Sequence, residues 1–142
     1  MRVLFELSQG TKRKGREGYL LGRKRPMSNE LKAMCESVRN TLDTILNDPE
    51  SWLEDEGYDM DEYALGMWFA NSALEVEVVS SLYSRNYRGS RIYVTLGGPT
   101  IWIDTTAHTV NGTWGTERES VPMYSDVCNM IDDYVMEIAG TY

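Results

Sequence analysis

The sequence contains one histidine, His108, two cysteines, Cys35 and Cys128, and four prolines in 142 residues. A single imidazole excludes a metal centre built from several histidines, and any serine–histidine–acid triad would have to use it. Two cysteines do not make a disulfide framework. Both fall on apolar stripes of expected helices, so two buried free thiols are expected. No run approaches the roughly 18 apolar residues of a membrane helix. The opening stretch Met1-Arg2-Val3-Leu4-Phe5-Glu6-Leu7 is broken by Glu6. It lacks the apolar core and small-residue cleavage site of a signal peptide. A cytoplasmic protein with no membrane contact is expected, and the sequon Asn111-Gly112-Thr113 is then a chance match. No GxxxxGK[ST] loop and no GxSxG elbow occur. No helix start is expected after Gly97-Gly98-Pro99 to receive an anion, so that stretch reads as a turn. The sequence therefore points to no enzyme, no cofactor and no metal.

What is present is the composition of one folded domain: 42% apolar and 25% charged residues in 16.2 kDa. The formal charge is −8, the wrong sign for binding nucleic acid over a whole surface. The charge is also uneven. Residues 1–27 carry eight Lys/Arg and two Glu, residues 28–80 two basic and thirteen acidic side chains, and residues 81–142 four and seven. A basic arm thus precedes a strongly acidic middle, which bears on partners and solubility rather than on fold.

Periodicity gives an α+β fold: an antiparallel β-meander covered by a C-terminal helix, with a helical acidic middle segment. The whole chain, 1–142, reads as a single domain. Its parts are a basic β-hairpin arm over 1–27, a helical acidic segment over 28–73, the meander over 74–122 and a closing helix over 123–140. Leu31, Met34, Cys35, Val38, Leu42, Ile45 and Leu46 share one helical face, with Ser28 or Asn29 as its expected cap. Asp48-Pro49 opens a short helix that carries Trp52 and Leu53 inward. Residues 60–73 read as a third helix. Strands are expected at 74–78, 91–96, 100–104, 109–114 and 116–121. The closing helix has Ser125 as its expected cap and Gly140 as its stop.

The acidic run is the main candidate site. Glu50, Glu54, Asp55, Glu56, Asp59, Asp61 and Glu62 place seven carboxylates in thirteen residues with no Lys or Arg among them. One reading is a solvated face that keeps the protein dispersed. The other is a surface that imitates nucleic-acid phosphates. Duplex DNA carries one charge per about 1.7 Å of axis, and a helix rises about 1.5 Å per residue. Such a face would dock into a cationic channel, with charge complementarity steering the encounter. A calcium loop does not fit: read from Asp55, Gly57 falls at a ligand position, and read from Asp59, Tyr63 does.

Tyr83, Arg85, Tyr87, Arg88 and Arg91 form a smaller basic–aromatic cluster, of which Tyr83, Arg85, Tyr87 and Arg88 could stack on and neutralise a nucleotide. It is also an ordinary hairpin tip. Lys12-Arg13-Lys14-Gly15-Arg16 and Arg23-Lys24-Arg25 could contact nucleic acid or an acidic protein surface, or form a solvated hairpin that associates with the chain's own acidic middle. The overall charge makes direct nucleic-acid binding the weakest expectation. Trp52, Trp68, Trp102 and Trp114 read as core anchors. Asp132 and Asp133 are neighbours on a helix and face different ways, so they make no acid–base pair. Sequence leaves the oligomeric state open.

The stretch Gly97-Gly98-Pro99-Thr100-Ile101-Trp102-Ile103-Asp104-Thr105, then Val110-Asn111-Gly112-Thr113-Trp114-Gly115, then an acidic amphipathic helix, resembles small acidic accessory proteins of bacterial phages and conjugative elements. The resemblance covers about 50 residues and carries no catalytic residue. It implies a non-enzymatic inhibitor of the anti-CRISPR or anti-defence type, acting in the bacterial cytoplasm. Its partner would be a host defence protein or CRISPR effector complex whose nucleic-acid channel it blocks. Two alternatives stand beside it: an oligomeric protein that sequesters a nucleotide signal, and a DNA-binding accessory regulator that uses the basic arm.

Overall fold

A computed structural model of the chain describes residues 27–140. The expected N-terminal strand pair and the basic arm lie outside the described residues. The remainder is α+β, as the periodicity predicts: helices α1 (Met27–Asn47), α2 (Pro49–Glu56) and α3 (Ala64–Ser72), strands β1 (Glu75–Ser80), β2 (Tyr87–Thr95), β3 (Thr100–Asp104), β4 (Thr109–Trp114) and β5 (Glu117–Pro122), then helix α4 (Ser125–Ala139).

The strands form one antiparallel sheet in the order β1-β2-β3-β4-β5. Alternation assigns their faces. Ile92 pairs with Ile103 and Ile103 with Val110, and all three are buried on the inner face. The intervening residues Arg91, Tyr93, Trp102, Asn111 and Ser120 fall on the other face, which no helix of the described residues covers. Gly97, with φ at +98°, turns β2 into β3, so Gly97-Gly98-Pro99 is the turn its composition predicts.

Helix α1 lies over β4 and β5, and α4 packs against β2 and α1. Closing helix and first helix therefore share the cover. Leu31, Cys35, Leu42 and Ile45 of α1 are buried, and so are Val127, Cys128, Ile131 and Val135 of α4. Each fully buried Leu or Ile contributes about 1.5–3 kcal/mol. The approach of α1 to the sheet is close at Gly112. A Cβ there would stand 2.8 Å from Leu31 Cδ1 and 2.9 Å from Cys35 Sγ.

β1 runs on to Ser80 and β2 begins at Tyr87 rather than at Arg91, and three helix starts also differ from expectation. Helix α1 begins at Met27, so Ser28 and Asn29 lie inside its first turn. Ser125 is likewise already helical. The cap position of α4 is Tyr124, which makes no side-chain cap bond. The third helix starts at Ala64, not at 60, because Asp59, Asp61 and Glu62 occupy a turn closed by Glu62 N–H to the Asp59 carbonyl (3.1 Å). Asp is a poor helix former, and neighbouring like charges oppose a helical turn there. By contrast, Asp48 caps α2 by accepting from Ser51 N–H, and Gly140 stops α4 at a φ of +77°.

Candidate functional site: an acidic face on α2 and the α2–α3 loop

Helix α2 has eight residues and turns Trp52 and Leu53 inward. That leaves Glu50, Glu54, Asp55 and Glu56 outward. Gly57 then ends the helix at a φ of +82°, a left-handed conformation that glycine adopts without strain. Asp59, Asp61 and Glu62 follow in the loop. All seven carboxylates are exposed. Among the described residues, none of the seven makes an ion pair with a Lys or Arg.

The loop that carries them is pinned. Tyr58 packs on Trp52, with ring centroids 5.7 Å apart, and its hydroxyl accepts a 2.8 Å hydrogen bond from Asn71 Nδ2. Tyr63 packs on Tyr134 of α4 at 5.8 Å. Both hydroxyls report the local field. Burial and the Glu56 carboxylate push Tyr58 above the usual tyrosine range. Burial, then Glu137, Tyr134 and Asp133, do the same to Tyr63. The acidic face thus continues from the loop onto α4 through Asp133 and Glu137. No local pattern signals this, because residues some 70 positions apart become neighbours only through packing.

The basic–aromatic cluster is not one site. Tyr83 is 94% exposed at the β1–β2 tip, and Arg85 adopts a φ of +62° there. Arg88 reaches Ser81 Oγ at 3.4 Å. Tyr87 turns away from them: its hydroxyl donates to Asp132 Oδ1 on α4 at 2.5 Å. The four residues do not converge on a common ligand.

The uncovered sheet face is a surface that sequence reasoning missed. Tyr93 and Trp102 stack across β2 and β3, with centroids 5.9 Å apart and planes at 30°. They border a shallow depression of about 490 Å³ with Arg91, Asp104, Asn111 and Ser120. Arg91 is held between Asp104 (3.5 Å) and Glu77 (4.0 Å). Burial opposes ionisation of Asp104. Hydrogen bonds from Thr106 Oγ1 and from the Ala107 and Thr106 N–H groups, with the Arg91 charge, outweigh it and hold the carboxyl below the usual range. Stacked rings beside a guanidinium suit a flat ligand. Register alone brings the pair together, and register is what a sequence reading leaves open.

Catalytic geometry is thin. His108 is exposed in the β3–β4 turn with a φ of +57°, and its Nδ1 lies 3.5 Å from Ser125 Oγ. Asp104, the acid of that turn, is engaged by Thr106, Ala107 and Arg91. Cys35 and Cys128 are buried free thiols, both pushed up to about 11, chiefly by burial. Among the described residues, no three His, Cys, Asp or Glu side chains converge as a metal set, and no helix is long and apolar enough to cross a membrane. Trp52 and Trp68 are core residues, whereas Trp102 and Trp114 are half-buried. The chain matches no protein-family model, and no curated protein or solved structure matches it.

Proposed function

We propose that this chain is a non-catalytic inhibitor that docks its α2–α3 face into a cationic nucleic-acid channel, such as that of a bacterial defence complex, and so blocks it. One observation supports this above others. Seven outward carboxylates stand on a pinned helix and loop, and among the described residues none of them is paired with a Lys or Arg. A face that only needed hydration could be carried by a mixture of charges. A face of one sign raises the local concentration of a cationic receptor and speeds encounter, with strong salt dependence. The resemblance to phage and conjugative-element accessory proteins supplies the setting.

The experiment is capture of a binding protein from bacterial lysate by the wild type and by a variant with Glu54, Asp55, Asp59 and Asp61 all changed to Lys. Affinity for the captured protein is then measured at rising salt. The wild type binds with an affinity that falls steeply with salt and displaces a labelled oligonucleotide from the captured protein, and the variant loses at least a hundredfold. Undiminished binding by the variant contradicts the proposal.

A second reading, sequestration of a small planar ligand, draws on the Tyr93–Trp102 stack beside Arg91 rather than on the dispersed Tyr83 cluster. A nucleotide panel that leaves the melting temperature unmoved removes it.

A further inference from the structure

The two ends of the acidic run, Glu50 and Glu62, are brought to one place. Both line a hollow of about 270 Å³ between α2 and the start of α3. Its apolar lining comes from Ile45, Leu53, Leu65 and Met130, with Met60 at one side. Ile45, Leu53 and Leu65 are buried core residues, so this part of the hollow is fixed. Met60 is 48% exposed and Tyr63, which also lines the hollow, is 58% exposed. A large apolar side chain left this open beside carboxylates is what an interface core needs before its partner arrives.

We infer that this hollow is the anchor point of the interface and accepts one long basic side chain, a lysine or arginine, from the partner protein. The inference rests on the cationic-partner reading above and adds where that partner is gripped. Two features select the occupant. An apolar lining favours methylenes, and the flanking carboxylates favour a positive head. Lys and Arg combine the two, burying the stem and keeping the charge at the mouth. A purely apolar anchor would strip water from Glu50 and Glu62 without giving either a partner. A phosphate would be repelled by both. A divalent cation would find an apolar lining where it needs six or more oxygens, about the smallest shell calcium takes. The flexible thioethers of Met60 and Met130 can close around a stem of either shape.

The test uses the whole protein and a hexa-arginine peptide as probe, followed by NMR titration at low salt. Two double variants lose the same charge: Glu50→Gln with Glu62→Gln at the hollow, and Glu54→Gln with Glu56→Gln away from it. Met60→Ala alters the hollow without changing charge, and amide spectra establish that each variant is folded. The expected result is five- to tenfold weaker binding for the first pair, less than twofold for the second, and about threefold for Met60→Ala. The methyls of Met60, Met130 and Leu53 shift on titration. Equal losses in the two pairs with Met60→Ala unchanged overturn the anchor and leave the cationic-partner reading standing. A wild type that shows no saturable binding to the peptide overturns both.

Discussion

Tyr87 shows how one side chain can serve the fold where its sequence neighbours suggest a ligand. Its hydroxyl ties β2 to α4 through Asp132. Burial first, and then this hydrogen bond, push its ionisation well above the ordinary tyrosine value. Cys35 and Cys128 are raised in the same direction, to about 11. A raised value in the fold means that the neutral form is the one the fold favours. Its contribution is complete below the unfolded values, about 8.5 for cysteine and 10 for tyrosine, and is lost as pH rises through the folded ones. The melting temperature should therefore hold level up to about pH 8.5 and decline above it. Tyr87→Phe should cost about 1 kcal/mol at pH 7 and make the alkaline decline shallower. Thermal melts from pH 7 to 11 measure both. A decline with the same slope in wild type and variant would remove Tyr87 from this account.

At the scale of elements, the seam between α1 and β4 depends on the missing side chain of Gly112. Gly112→Ala would drive a methyl against Leu31 and Cys35 in a filled core. Overpacking of this kind costs about 1–3 kcal/mol. Gly98→Ala, in open space and without a positive φ, should change stability by less than about 0.5 kcal/mol. Denaturant unfolding of the two variants makes the comparison, and equal stabilities would show that α1 rides higher over the sheet. Local signals made much of this architecture readable. β3 and β4 fall at Thr100–Asp104 and Thr109–Trp114, where turn residues and alternation place them. Asp48 and Gly140 act as cap and stop, since both signals are short-range. Ser125 misled because a good capping residue is also tolerated one position inside a helix. The start of α3 misled because Asp59 to Glu62 look compatible with helical spacing, yet their charges and the Asp59 turn set them outside it. The addition of Asp133 and Glu137 to the acidic face, and the pairing of Tyr93 with Trp102, depend on packing and register, which no local pattern encodes.

Over the whole molecule, the two exposed surfaces differ in kind. On the outer sheet face carboxylates do have a cationic neighbour: Arg91 sits between Glu77 and Asp104, and the aromatic pair is half-buried. The α2–α3 face, extended onto α4, is of one sign and surrounds an apolar hollow. Unbalanced charge costs compact-state stability through self-repulsion, a cost that the proposed cationic receptor would offset on binding. The most direct measurement is carboxyl footprinting, in which carbodiimide coupling to glycine ethyl ester is followed by mass spectrometry on the protein alone and on its complex with the captured partner. The account predicts that Glu50, Glu54, Asp55, Glu56, Asp59, Asp61 and Glu62 label readily in the free protein and are protected several-fold in the complex, while Glu75 and Glu117 label equally in both. Full labelling of the α2–α3 carboxylates in the complex, with protection elsewhere, would contradict it.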